Sequence, residues 1–543
     1  MQDSTPMPRH DVASPSPQNA NINMPSPKWF KYSFITIIVV SCIYIGLQLI
    51  GDLAAVPALS SFSFFMLGIA LIIALGFEFV NGFHDTANAV ATVIYTNAMP
   101  APVAVMWSGF FNFLGVLSAS GAVAYGIIAL LPVELILHVS SSSGFAMVFA
   151  LLIAAIIWNL STWLLGLPAS SSHTMIGSIL GVGLMNQILH AGFSSGLSGI
   201  DVAQVMKVVK ALLISPLVGF GLAAIAFLLL KMSLKNKKTE LFDAPEGTKP
   251  PSFITRVLLI CTCTGVSFAH GSNDGQKGMG LIMLILIGIV PLAYSLNKTM
   301  DSNEVQAFAA LSEKSAHILA VNPSQMDTTT ARQTLTQYIQ DKQATPETTL
   351  AVAALSNNLG KLVADYKTMA NIPENATINL RNDMYLSSTA LKTLQKNNQM
   401  PTQLTNTEKA TIAEYQKDLD QATQYIPTWV KVAVALALGL GTMVGWKRIV
   451  VTVGERIGKT HLTYSQGMSA EFVAMGTIIA ADKFGLPVST THVLNSAVAG
   501  TMTANKSGLQ WSTIKSIILA WVLTLPCAML LSATLYWLFS KLI

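Results

Sequence analysis

Long apolar runs separated by short polar breaks dominate the chain. After a polar stretch over 1–27 rich in Pro, Ser, Asn and Gln, Lys28 and Lys31 lead into a mostly apolar run over 32–50. Apolar runs follow near 61–95, 102–131, 145–166, 174–195 and 209–230. A cationic break with Lys231, Lys235, Lys237, Lys238 and Lys249 precedes a second series near 254–297, 428–446, 465–484, 490–504 and 513–540. A helix needs ~20 apolar residues to cross the hydrocarbon layer, so the pattern predicts an all-α polytopic membrane protein. Five spans per series, an odd number, make the second series enter from the opposite side, which is an inverted repeat of five-span units.

The polar segments fix the expected topology. Residues 1–31 read as a disordered cytoplasmic tail and 32–60 as a retained anchor helix with its linker, because a cleaved leader does not begin after so long a polar stretch. The first repeat is 61–230, and the cationic loop 231–253 lies inside by the positive-inside rule. The second repeat is 254–297 plus 427–543, interrupted by a polar insertion over 298–426. With 11 Lys plus Arg against 13 Asp plus Glu, that insertion has no cationic bias, and it reads as a periplasmic helical lobe. Lys447, Arg448, Arg456 and Lys459 mark a return to the cytoplasm. The N-terminus is therefore expected in the cytoplasm and the C-terminus in the periplasm, in a bacterial inner membrane.

Composition agrees. The 543 residues are 52% hydrophobic and 11% charged, against roughly 25% charged in soluble domains. A net charge of +5 gives no case for nucleic acid. Cys42, Cys261, Cys263 and Cys527 all fall in apolar segments without metal or redox spacing, so they are expected to be small buried hydrophobes. Nothing asks for a cofactor.

Two stretches break the apolar pattern with chemistry: Asn81-Gly-Phe-His84-Asp85-Thr-Ala-Asn88 and His270-Gly-Ser-Asn273-Asp274-Gly-Gln-Lys277. A carboxylate at membrane depth is a functional hypothesis by default. If the first stretch is helical, Asp85 and Asn88 share a face with Glu78, and Gly82 would let the helix break and expose carbonyls. Oxygen ligands of this kind hold a hard cation, and a buried carboxylate equally takes a proton. Asp85 and Asp274 are the candidate metal ligands. In the second copy Lys277 stands where the first has Asn88 and could neutralise Asp274 in place of a bound cation, which favours proton over sodium coupling. The plain alternative is an ordinary ion pair three residues apart.

A second pair, Gly166-Leu-Pro168-Ala-Ser170-Ser171-Ser172-His173-Thr174 and Gly485-Leu-Pro487-Val-Ser489-Thr490-Thr491-His492, concentrates hydroxyls where a proline suits a chain break. Caps at two facing helix N-termini would offer backbone N–H groups, hydroxyls and positive dipole ends to a tetrahedral oxyanion. The interval from Asp274 to Pro487 exceeds that from Asp85 to Pro168 by almost the length of the 298–426 insertion, so its removal brings the copies into register. His84, His173, His270 and His492 adjoin these motifs and read first as structural. Glu471 is a further intramembrane carboxylate.

These four motifs, in this order, resemble the PiT family of inorganic phosphate transporters, bacterial low-affinity type, over nearly all of 62–540. The resemblance implies phosphate symport with protons, often as a neutral divalent metal-phosphate complex, with magnesium one such metal. It also implies two re-entrant helical hairpins. Ser170, Ser171, Ser172, Thr174, Ser489, Thr490 and Thr491 would bind phosphate, while Asp85, Asn88, Asn273, Asp274, Lys277, Glu78 and Glu471 would handle the coupling ion. Sodium-coupled members carry Asn-Asp-x-x-Asn in both copies. Here the copies read His84-Asp-Thr-Ala-Asn88 and Asn273-Asp-Gly-Gln-Lys277, so the sodium set is incomplete, although sodium coupling stays open. The tail and anchor look like an addition, and a homodimer is compatible with the pattern. An intramembrane hydrolase and a phosphate sensor are the competing classes. An aspartyl dyad needs no adjacent lysine and one nucleophile needs no second hydroxyl cluster, so a transporter is favoured.

Overall fold

A computed structural model describes residues 28–54, 56–57, 59–85, 87–128, 130, 142–191, 202–235, 239–247 and 249–542. The expected tail over 1–27 lies outside them, as do the side chains of Ala87 and Asn88. Among the described residues the architecture is helical, with one isolated bridge between Gly458 and Leu509.

The membrane helices of the first half are α1 (Lys28–Ala54), α2 (Ser61–Asp85), α3 (Ala87–Tyr95), α4 (Ala101–Ser118), α5 (Ala122–Ile128), α6 (Ser142–Leu164), α7 (Ser171–Ala191) and α8 (Val202–Ser233). After α9 (Phe253–Ile289) come the lobe helices α10 (Ser302–Leu319), α11 (Thr328–Asp341), α12 (Pro346–Tyr366), α13 (Glu374–Lys396) and α14 (Asn406–Thr423). The chain closes with α15 (Thr428–Thr442), α16 (Lys447–Glu455), α17 (Tyr464–Lys483), α18 (Thr490–Ala504) and α19 (Trp511–Leu542). Among the described residues, seven helices are long and apolar enough to cross a membrane. Ile72 (72% exposed) and Leu217 (72%) leave apolar side chains on the outer surface, a cost that lipid removes.

The packing is reciprocal. Helix α7 lies along α19, and α18 along α8; α4 lies along α9, and α15 along α2. Small residues bring the backbones together, which is how apolar helices associate where lipid offers no hydrophobic drive. A Cβ on Gly271 of α9 would stand 2.2 Å from the Asn112 carbonyl oxygen of α4, and one on Gly82 of α2 would stand 2.2 Å from that of Leu438 in α15. Gly82 and Gly271 each lie three residues before an Asp.

Gly82 is thus a packing residue. The expectation that it breaks the helix is corrected: α2 runs through it and ends at Asp85, with α3 beginning at Ala87. Asp85 and Asn88 consequently sit on two helices, not on one face of one. The run read as 102–131 is likewise two helices, split at 119–121, where Ala119 is extended and Gly121 has φ +91°. The cysteine expectation also fails in part, because Cys42 and Cys261 are exposed on the apolar outer surface, while Cys263 alone of the four is fully buried.

The lobe helices bury their own core around Phe308, Leu335, Leu355, Met384 and Tyr415. Its helix starts are well defined: Asp301 and Glu304 form a capping box at α10, Thr405 and Glu408 another at α14. Helix α14 meets α15 at 71°. The lobe is tied to α5 through Tyr125, whose hydroxyl donates to the Tyr425 carbonyl at 3.1 Å. Helix α1 is tied to the same end by Asp52, which accepts from the Tyr294 hydroxyl (2.7 Å) and the Trp429 indole (2.9 Å).

Candidate functional site

Two tight turns set the site. Gly166 (φ +67°) and Gly485 (φ +61°) take the left-handed conformation that ends α6 and α17, so each chain reverses into a proline and a run of hydroxyls. Ser170 Oγ then accepts the His173 amide (3.2 Å), and Ser489 Oγ the His492 amide (3.1 Å), capping α7 and α18. The two helix starts meet: the His173 and His492 rings are 4.4 Å apart, with Trp521 stacked on His492 at 4.0 Å. The Ser172 hydroxyl donates to the Val488 carbonyl across the gap at 2.8 Å.

The carboxylates converge on this meeting point. Asp85 accepts from the Ser171 hydroxyl and, at 2.8 Å, from the Thr491 hydroxyl, so one side chain ties both helix starts together. His84 Nδ1 lies 2.9 Å from the same carboxylate, and its Nε2 is 3.1 Å from Thr162. Asp274 faces Lys277 Nζ at 2.8 Å, and that ammonium also donates to Ser172 Oγ at 2.5 Å. Both side chains of this pair are 0% exposed. Charges so buried persist only when paired. The ion pair supplies that, and Lys277 is also hydrogen-bonded to Ser172, whereas neither Asp274 oxygen has a hydrogen-bond donor beyond that ammonium among the described residues.

His270 completes the cluster. The Asn112 amide nitrogen donates to the Ser108 carbonyl (3.0 Å), which turns its oxygen toward His270 Nδ1 at 2.7 Å. Nδ1 therefore carries a proton and donates, leaving Nε2 to face Asp274 at 3.4 Å. A bare ring nitrogen against a carboxylate is two acceptors face to face, and a proton or a metal ion between them relieves the contact. Asp85, His270 and Asp274 each present one ligand atom within 4.8 Å of the others, all buried. That donor set of oxygens and one imidazole suits a divalent cation as well as a proton.

Of the remaining sequence candidates, Glu78 is buried against α9, where a Cβ on Gly278 would meet its Cγ at 2.2 Å, and Asn81 donates to it at 3.5 Å. Asn273 donates to the Leu486 carbonyl in the second turn at 3.3 Å. Thr174 gives its hydroxyl to the Ser170 carbonyl (2.9 Å) and so serves its own helix turn. Glu471 is held apart from the cluster: Thr262 donates to it at 2.6 Å, and Thr262 precedes Asp274 on α9 by three turns, roughly 18 Å of helix. The Thr490 hydroxyl, the Asn273 side-chain oxygen Oδ1 and His492 Nε2 are buried without a hydrogen-bond partner.

A family model described as the phosphate transporter family matches residues 81–532, which takes in every one of these residues except Glu78. The chain belongs to the phosphate transporter family. The transporter is 41% identical over 488 residues to the low-affinity inorganic phosphate transporter PitA of Escherichia coli K12, covering 87% of this chain and 97% of that one. It is 41% identical over 496 residues to PitB of the same organism, covering 88% and 98%. A low-affinity inorganic phosphate transporter of Buchnera aphidicola from Acyrthosiphon pisum is 41% identical over 490 residues, covering 86% and 95%. The family comprises transporters, not enzymes, which removes the hydrolase reading.

Sequence reasoning missed Asn112, Gln276 and Asp482. Asn112 was legible as a lone amide within an apolar run; Asp482 looks like an ordinary polar flank at the end of one. Gln276 donates to Asp482 at 2.5 Å and accepts the Val123 amide at 2.9 Å.

Proposed function

We propose that the transporter imports inorganic phosphate by proton-driven symport and alternating access, with the phosphate carried as a divalent metal-phosphate complex. The observation that carries the reading is Asp85 bonded to Ser171 and Thr491 at once, since it joins the carboxylate motif to both hydroxyl-bearing helix starts. A phosphate at this junction would take its donors from the helix starts: the hydroxyls of Ser170, Ser171, Ser172, Ser489, Thr490 and Thr491, the two dipole ends, and Lys277. The unpartnered Thr490 hydroxyl supports this, because buried polar atoms ordinarily have a partner.

The cation side falls to Asp85, His270 and Asp274. Protonation of the His270–Asp274 pair, or a metal ion among the three, would cancel charge that the arriving anion cannot neutralise. Glu78 lies close enough to tune that balance. Coupling follows if the site changes faces readily only when phosphate and cation are both bound, so that net charge stays small. Reciprocal packing of α7 on α19 against α18 on α8, and of α4 on α9 against α15 on α2, supports two inverted repeats whose hairpins, α6–α7 and α17–α18, enter from opposite faces.

Uptake of labelled phosphate into proteoliposomes under an imposed pH gradient, with and without sodium and magnesium, tests this. Wild type should take up phosphate with an inside-alkaline gradient and no sodium, faster with magnesium, and Asp85→Asn should lose at least about tenfold, as expected for one ~1.5–3 kcal/mol charged hydrogen bond. Uptake that needs sodium and ignores the pH gradient would move the coupling to sodium. Wild-type rates in Asp85→Asn and Asp274→Asn would end the site assignment.

A further inference from the structure

The two hairpin turns are sealed differently. The turn between α6 and α7 rests on α16 and the end of α2: Trp163 donates to the Gly445 carbonyl (2.7 Å), Arg448 to the Leu164 carbonyl (2.5 Å), and Thr452 to the Gly166 carbonyl (2.8 Å). Arg448 lies over the Trp163 ring at 5.0 Å, and Phe83 packs edge-on to it at 5.2 Å. Among the described residues the turn between α17 and α18 has no such aromatic layer. At the place matching Trp163, three residues before the turn glycine, stands Asp482, and at the place matching Phe83, two before the motif Asp, stands Ser272.

These two residues bond. Asp482 accepts from Ser272 Oγ at 2.8 Å and from Gln276 Nε2 at 2.5 Å, both on α9. The other end of Gln276 accepts the Val123 amide at the start of α5, and a Cβ on Gly126 of α5 would stand 3.2 Å from the Gly485 carbonyl oxygen in the turn itself. Helix α5 is the element that Tyr125 ties to the lobe exit. The contacts form one chain from the lobe side, through α5 and Gln276, to the tip that carries Thr490 and Thr491. Asp482 is half-buried, whereas Gln276 is 0% exposed, so the carboxylate sits at the outer edge of a dry contact.

We propose that Asp482 is a gate latch: its bonds to Ser272 and Gln276 pin the second hairpin tip to α9 and close the lobe-side path to the central cluster, and opening toward the lobe side breaks them. The assignment deepens the alternating-access reading and names the residue that sets the closed state of one face. It concerns positioning, since Asp482 touches neither the Asp85 carboxylate nor the Thr491 hydroxyl. Two hydrogen bonds to a charged acceptor weight the closed state by at least about tenfold each, so losing one shifts the closed-to-open ratio by about tenfold and losing both by about a hundredfold.

The test uses Ala481→Cys as a reporter, in full-length protein whose four native cysteines are replaced. Ala481 is 8% exposed beneath the tip, packed with Ala269 and Val488. Its labelling rate by a membrane-impermeant maleimide is read in vesicles from each face. Val321→Cys in the lobe, 99% exposed, establishes which face carries the lobe, and size-exclusion chromatography establishes whether each variant is folded. Asp482→Ala should raise reporter labelling from the lobe face about tenfold or more, and Ser272→Ala should raise it less. Ser272→Ala added to Asp482→Ala should contribute nothing further, because Asp482→Ala already removes both bonds. Should Asp482→Ala not fold, Ser272→Ala alone carries the test. Unchanged labelling in the folded variants, or an increase from the opposite face only, overturns the latch. The measurement needs neither phosphate nor an ion gradient, so it stands apart from any failure of the coupling assignment.

Discussion

Replacing Lys277 with methionine isolates the most exposed weakness of the site, a buried ion pair. The ammonium is 0% exposed and 2.8 Å from an equally buried Asp274. Methionine fills nearly the same volume, so the loss of packing is small and the electrostatic consequence stands alone. Removing one member of such a pair costs about 3–5 kcal/mol because the other charge remains uncompensated in a medium that cannot solvate it. Among the described residues the other near partner of Asp274 in the cluster is His270 Nε2 at 3.4 Å, too distant to replace the ammonium. Adding Asp274→Asn removes the stranded charge and should recover most of the loss, leaving the double variant within about 1–2 kcal/mol of wild type. Unfolding titrations with SDS in mixed micelles, run on wild type, both single variants and the pair, give the coupling energy directly. The double variant should nonetheless carry no phosphate, because the Lys277 contact to Ser172 is gone as well. If Lys277→Met alone unfolds within about 1 kcal/mol of wild type, the pair is not buried as described and the charge argument for the site fails.

Topology, packing and the second face give further tests. Val321→Cys in the lobe should react with an impermeant maleimide in intact spheroplasts, and Lys235→Cys only after lysis; the reverse would invert the orientation taken from the cationic loops. Gly271→Ala places a methyl 2.2 Å from the Asn112 backbone oxygen, which cannot yield, and should cost about 1–3 kcal/mol or abolish folded yield in size-exclusion chromatography. Gly46→Ala, with nothing within 4 Å of its Cβ, is the control and should be neutral. Trp163→Ala removes an edge-on ring pair, a cation–π contact and one hydrogen bond, together about 2–4 kcal/mol from the seal on the α16 face. It should raise reporter accessibility from that face and leave the lobe face closed; an increase at the lobe face instead would show that the two seals are not independent.

The spans, the lobe and the repeated motifs were legible because each leaves a local trace: a run of apolar residues, a loss of them, or a carboxylate where none is tolerated cheaply. The convergence of Asp85 with Ser171 and Thr491 was legible only as an expectation that paired motifs share a purpose, since residues 86 and 406 positions apart are brought together by helix packing. Gly82 misled for a physical reason. Glycine in a polar stretch reads as a helix break, whereas here its missing side chain admits the α15 backbone, a demand made by a helix more than 350 residues later in the chain. Asp482 and Gln276 were invisible because their importance lies in each other, across 206 positions, and neither stands out in its own neighbourhood.

The two copies of the motif pair differ at the residues that would set their behaviour. Where the first copy has Asn88, the second has Lys277, and the fixed ammonium anchors Asp274 to Ser172 whether or not a cation is bound. Where the first copy seals its hairpin with Phe83, Trp163 and Arg448, the second uses Ser272, Gln276 and Asp482. An aromatic and guanidinium layer is held by area and dispersion, which change little with what arrives at the site, while a carboxylate held by two neutral donors can exchange those donors for water when the tip moves. The second seal is therefore the one that releases with less disruption of packed surface. Unequal seals bias the resting state toward one face before ligand or ion gradient acts on it.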